Sequence, residues 1–130
     1  MTTRRSLLVL LSAGTLLTAT ACGAGPEPRV VANAPADVAA DTIIIDVRTP
    51  EEFAQGHLAG AVNHNVEDGS LEAALAGLDP AAEYIVYCRS GRRSAIATEL
   101  MARAGFGAVT DLGSVEEAAA ATGRAIVTAP

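Results

Sequence analysis

The chain has 130 residues and carries no Lys, with 9 Arg against 15 Asp and Glu, for a net charge of −6. An acidic chain with 3 % aromatics lacks the clustered cations and stacking rings of a nucleic-acid binder, and 50 % apolar residues with a mean hydropathy of +0.31 exclude disorder as a whole-chain state. The length suits one domain with one core, and the 28 Ala predict that small side chains build it.

Residues 1–21 read as an address rather than structure. Arg4 and Arg5 precede an apolar run over residues 7–17, too short for the span of about 20 residues that crosses a bilayer but suited to a secretory signal. The run ends in Ala19-Thr20-Ala21-Cys22, which resembles the lipobox of bacterial lipoproteins, with Ala19 where Leu is commonest. The resemblance implies cleavage after Ala21, a lipid on Cys22, and an exported, membrane-anchored protein in the cell envelope. Thr3-Arg4-Arg5-Ser6-Leu7-Leu8 also resembles a twin-arginine signal, so the export route stays open. Cleavage would leave 109 residues and a net charge of −8. Residues 22–29, rich in Gly and Pro, read as a flexible tether, and residues 30–130 as the single globular domain.

The globular part alternates strand and helix. Thr42-Ile43-Ile44-Ile45-Asp46-Val47 is a β-branched apolar run of the kind buried on both faces. Thr49-Pro50-Glu51-Glu52 is a capping box with Pro at the first helical position, predicting a short helix to about Gln55. Gly56 and Gly60 bracket a turn, and Ala61-Val62-Asn63 is a short strand. Leu71, Ala74, Leu75 and Leu78 recur at helical spacing over 70–78, and Asp79-Pro80 stops that helix. Residues 83–88 form an apolar strand, 91–104 a helix closed by Gly105, and 108–112 a last strand. Ser114-Val115-Glu116-Glu117 is a second capping box opening a helix that ends near Gly123. Strands alternating with helices imply an α/β fold, its parallel sheet covered on both faces.

The chemistry concentrates where the strand over 83–88 ends. Cys88 lies at its carboxyl end, and Arg89-Ser90-Gly91-Arg92-Arg93 leads into a helix. Ligands of open parallel sheets bind at that edge. Loop N–H groups and the positive end of the following helix favour an anion there. The same field lowers a Cys pKa and holds the reactive thiolate. A buried structural Cys is the competing reading; three guanidiniums within five positions weigh against it and predict an exposed thiolate.

Asp46-Val47-Arg48, Glu52-Phe53, Gly56-His57-Leu58-Ala59-Gly60-Ala61 and Cys88-Arg89-Ser90-Gly91-Arg92-Arg93-Ser94 together resemble a single-domain rhodanese, over roughly residues 31–127. The resemblance implies a three-layer α/β domain with a central parallel five-stranded sheet. It places the persulfide-carrying nucleophile on Cys88 and binding of the anionic donor on Arg89, Ser90, Gly91, Arg92 and Arg93. The six-residue loop over 88–93 resembles sulfurtransferase members, whereas related phosphatases and arsenate reductases have seven. Implied is a two-step transfer of sulfane sulfur from thiosulfate or a related donor, through a Cys88 persulfide, to cyanide or a thiol. Such covalent catalysis gives ping-pong kinetics. Two rival readings stay open: an idle module that binds a partner protein, and an envelope carrier passing persulfide sulfur to a protein thiol.

No metal or other cofactor is expected, since His57 and His64 with one Cys make no ligand set, and His57 reads as a structural hydrogen-bonder. Asp46 and Arg48 read as supporting residues, pairing with Arg89 and Glu52 respectively. Where many relatives have Gly-Gly, a later Trp and Gly-x-Pro, this chain has Gly113-Ser114, no Trp, and Gly123-Arg124-Ala125, departures that bear on the last helix.

Overall fold

Residues Ile43–Asp46 form strand β1 in the computed structural model, which describes residues 38–129. The expected signal peptide and tether, with Cys22, lie outside the described residues. Helix α1 follows over Pro50–Gln55, opened by the expected reciprocal capping box between Thr49 and Glu52. Strands β2 (His57–Leu58) and β3 (Val62–Asn63) precede helix α2 (Ser70–Leu75). Strand β4 (Glu83–Cys88), helix α3 (Arg92–Arg103) and strand β5 (Ala108–Ser114) carry the chain to the candidate loop and past it. Helix α4 (Val115–Thr122) has the second capping box, Ser114 with Glu117, and ends in left-handed Gly123. The C-terminal departures from the rhodanese pattern therefore leave this helix formed and capped at both ends.

The α/β architecture is as expected, with a difference in the strands. Four of them form a parallel sheet in the order β3-β1-β4-β5. Strand β6 (Ile126–Val127) pairs with β2 in a separate antiparallel ladder, so the five-stranded sheet implied by the resemblance is here four strands plus a two-stranded clip. Segments of two residues carry no periodicity, which is why the sequence shows only a turn at 56–60.

Side chains alternate across the sheet because a strand's period is two. Ile45, Tyr84, Val86 and Cys88 point to one face, where Leu71 of α2 and Ala97 and Met101 of α3 cover them. Ile44, Ile85 and Tyr87 point to the other, against Leu58, Val115 and Ala118. The result is three layers. The expectation of an Ala-built core is corrected: Ala97 and Ala118 are its only buried alanines among the described residues, beside Ile, Val, Leu, Met and two Tyr. Half of the helical Ala, among them Ala54, Ala73 and Ala95, are exposed, where they serve helix propensity rather than packing.

Candidate active site at the Cys88 loop

The register between β4 and β5 shifts between Val86 and Cys88, so that Cys88 pairs with Ser114 just before α4 begins. Beyond Cys88 the chain turns through Arg89 and Ser90 to Gly91, whose φ of 91° is left-handed and open to Gly without the Cβ penalty. A Cβ at Gly91 would also meet Gly113 backbone at 3.5 Å, so the loop rests against the end of β5. From this turn the Gly91 N–H donates to Cys88 Sγ at 2.9 Å.

Ser94, fully buried in the first turn of α3, completes the sulfur's surroundings. Its Oγ lies 3.6 Å from Sγ, and its hydroxyl donates to the Gly91 carbonyl at 3.0 Å. Ser94 lies just beyond the loop residues that the rhodanese resemblance assigns to the donor. The available signal was its place three residues after the N-cap Gly91, where a Ser side chain readily bonds nearby backbone.

Cys88 itself is 0 % exposed, which corrects the expectation of an exposed thiolate. The sulfur sits beneath its loop, among core residues on one side and loop N–H groups on the other. Burial pushes its pKa up, but hydrogen bonds from Ser94, Ser90 and Gly91 outweigh that and bring it below the usual thiol value. An inert core Cys has no such donors.

The three loop guanidiniums differ. Arg89 and Arg92 are exposed and make no side-chain hydrogen bond or ion pair among the described residues. Arg93 is engaged: its two terminal nitrogens donate to the two oxygens of Glu52 at 2.7 and 2.9 Å, and one also reaches Glu67 at 3.3 Å. The hydrogen bond from Arg93 holds the Glu52 carboxyl down at about 2. A cleft of about 310 Å³ opens beside Arg89, between Glu52, Gln55 and Gly56 on one side and Val115, Glu116 and Ile126 on the other.

The pairings expected for Asp46 and Arg48 are corrected. Arg48 does not pair with Glu52, nor Asp46 with Arg89. Arg48 folds back on Asp46 in a bidentate pair of 2.6 and 2.9 Å, with side chains 7 % and 0 % exposed. Two residues of separation close this ring at little cost in chain entropy, and Glu52 is already taken by Arg93. Arg48 also donates to the Gly56 carbonyl at 2.6 Å and lies 5.7 Å over the Tyr87 ring. Asn63 donates to the Asp46 and Arg48 carbonyls at 3.0 and 2.9 Å, so the cluster braces the turn between β1 and α1. His57 is a structural hydrogen-bonder, stacked on Phe53 at 3.7 Å and donating from Nδ1 to the Phe53 carbonyl.

A model of the rhodanese-like domain aligns with residues 29–121. The chain belongs to this family. The rhodanese-like domain is 36 % identical over 101 residues to thiosulfate sulfurtransferase 16, chloroplastic, of Arabidopsis thaliana, covering 66 % of this chain and 84 % of that protein. It is 35 % identical over 75 residues to the thiosulfate sulfurtransferase PspE of Escherichia coli, covering 58 % of this chain and 72 % of that one. Among solved structures, a rhodanese with anions from E. coli superposes with a TM-score of 0.58 at 30 % identity, over 68 % of this chain and 99 % of the other. The three-layer α/β fold is thus that of rhodaneses.

Proposed function

We propose that the protein is a sulfurtransferase that moves sulfane sulfur through a persulfide on Cys88. The observation that carries this reading is the Gly91 N–H on Cys88 Sγ at 2.9 Å, at the start of α3. A hydrogen bond to sulfur in that position stabilises the thiolate, the form that attacks.

In the first half-reaction the Cys88 thiolate attacks the outer sulfur of thiosulfate. A new S–S bond forms to Cys88, the S–S bond of thiosulfate breaks, and sulfite leaves with the electron pair. In the second, cyanide or a thiolate attacks the outer sulfur of the persulfide. Thiocyanate or a new persulfide leaves, and Cys88 returns as thiolate. Charge is conserved at each step, and no redox partner enters. The loop N–H groups of Ser90 and Gly91, with Arg89 and Arg92, receive the anionic donor. An intact Cys with its thiolate-stabilising loop favours this over an idle interaction module. The names of the relatives from Arabidopsis and E. coli support the donor class. Steady-state thiocyanate formation with thiosulfate and cyanide both varied tests the proposal. Parallel double-reciprocal lines are expected, and absence of thiocyanate overturns the assignment.

We also propose that the protein is exported and held in the cell envelope by a lipid on Cys22, on the strength of residues 1–22. A Cys bearing several acyl chains anchors firmly where one chain does not. Wild-type protein is expected in the membrane fraction and a Cys22→Ala variant uncleaved and unlipidated. Wholly soluble wild-type protein with a Cys22–Cys88 disulfide overturns it.

A further inference from the structure

Arg93 is the second residue of α3, yet its guanidinium faces away from an open role. Its fork is taken by both oxygens of Glu52, the residue that also closes the capping box of α1, and by Glu67 in the connection between β3 and α2. One side chain therefore ties the start of α3 to two other segments. Helix α1 has no buried side chain of its own, and this pair adds to its cap, the Phe53–His57 stack and the Arg48 bond to the Gly56 carbonyl in fixing it to the domain. A donor anion that sought Arg93 would have to displace a carboxylate already in bidentate geometry and tethered in the same chain, an intramolecular competitor at high effective concentration. Arg89 and Arg92 face no such competitor among the described residues. Arg93 also directly precedes Ser94, whose backbone and hydroxyl surround the sulfur.

We propose that Arg93 is a positioning residue, holding the Cys88 loop in shape through Glu52, and that the donor is bound by Arg89 and Arg92 without it. This rests on the reading of Cys88 as the nucleophile and narrows which loop residues set donor specificity.

Glu52→Gln separates the two roles. If Glu52 is only a neighbouring charge, removing it makes the loop more positive, frees Arg93, lowers the midpoint of the Cys88 thiol and lowers KM for thiosulfate. If Glu52 is the anchor, its loss loosens the N–H groups around the sulfur, so the thiol midpoint rises and kcat falls while KM stays within about twofold. The thiol midpoint is read from the pH dependence of thiolate ultraviolet absorbance on the full chain, with the Cys88→Ser variant as baseline and circular dichroism as the fold check. Arg93→Gln is expected to raise the midpoint too, the double variant to add little beyond either single one, and Arg93→Lys to restore part of the shift. A midpoint lowered or unmoved by Glu52→Gln overturns the proposal. So does a KM rise of more than about tenfold in Arg93→Gln that persists in the Glu52→Gln background. The titration needs no turnover, so it stands apart from any failure of sulfur transfer itself.

Discussion

Replacing Asp46 with Asn keeps the shape of the side chain but leaves the Arg48 guanidinium, 7 % exposed, without its counter-charge. Two unit charges about 4 Å apart attract by about 4 kcal/mol at an effective dielectric of about 20. Breaking a buried pair by removing one partner is known to cost about 3–5 kcal/mol. The Gly56 carbonyl still accepts from Arg48, which places the expected loss toward the lower end, at about 3 kcal/mol. Against a total stability of about 5–15 kcal/mol for a domain, that is a large fraction. Urea unfolding followed by circular dichroism reads the loss as a lowered midpoint at unchanged slope. The double variant Asp46→Asn/Arg48→Met removes the stranded charge and is expected to recover part of the loss, since the penalty lies mostly in the unpaired cation. A loss below about 1 kcal/mol for Asp46→Asn, or a double variant less stable than that single one, refutes the buried-pair reasoning.

Arg89→Ala and Arg92→Ala are each expected to raise KM for thiosulfate by about 10- to 150-fold, the loss of one charge-assisted hydrogen bond worth about 1.5–3 kcal/mol; steady-state kinetics check this, and normal KM in both would leave binding to the backbone alone. Because the Glu52 carboxyl is held at about 2 in the folded chain against 4.5 ordinarily, its contribution to stability is complete above pH 4.5 and is lost as pH falls toward 2. In unfolding measured across that window, wild type should lose about 1–3 kcal/mol that Glu52→Gln does not. Ser94→Ala removes the hydroxyl that lies 3.6 Å from the sulfur and helps hold its pKa down, and is expected to raise the thiol midpoint with little change in KM, read by alkylation rate against pH.

Much of the site was legible because its signals are local. The capping boxes at Thr49 and Ser114, the apolar strand ending in Cys88 and the helix that follows its loop are each specified within a few residues, and the structure reproduces them. What sequence reading missed depends on distance. Arg93 meets Glu52 across 41 positions, and nothing in the spacing separates its guanidinium from those of Arg89 and Arg92. The β2–β6 ladder joins two segments of two residues each, below the length at which a hydrophobic period exists. Cys88 is buried because β4 is a central strand covered on both faces, so that every residue from Tyr84 to Cys88 is buried whichever way it points, a constraint that nearby charges do not override.

The proposed mechanism puts the transferred sulfur on Cys88. Intact-mass measurement of the protein after incubation with thiosulfate, followed by peptide mapping, tests it most directly. Wild-type protein is expected to gain one sulfur atom, located on Cys88, removed by cyanide or a thiol, and absent from Cys88→Ser. No gain on wild type, or the same gain on the serine variant, would contradict it.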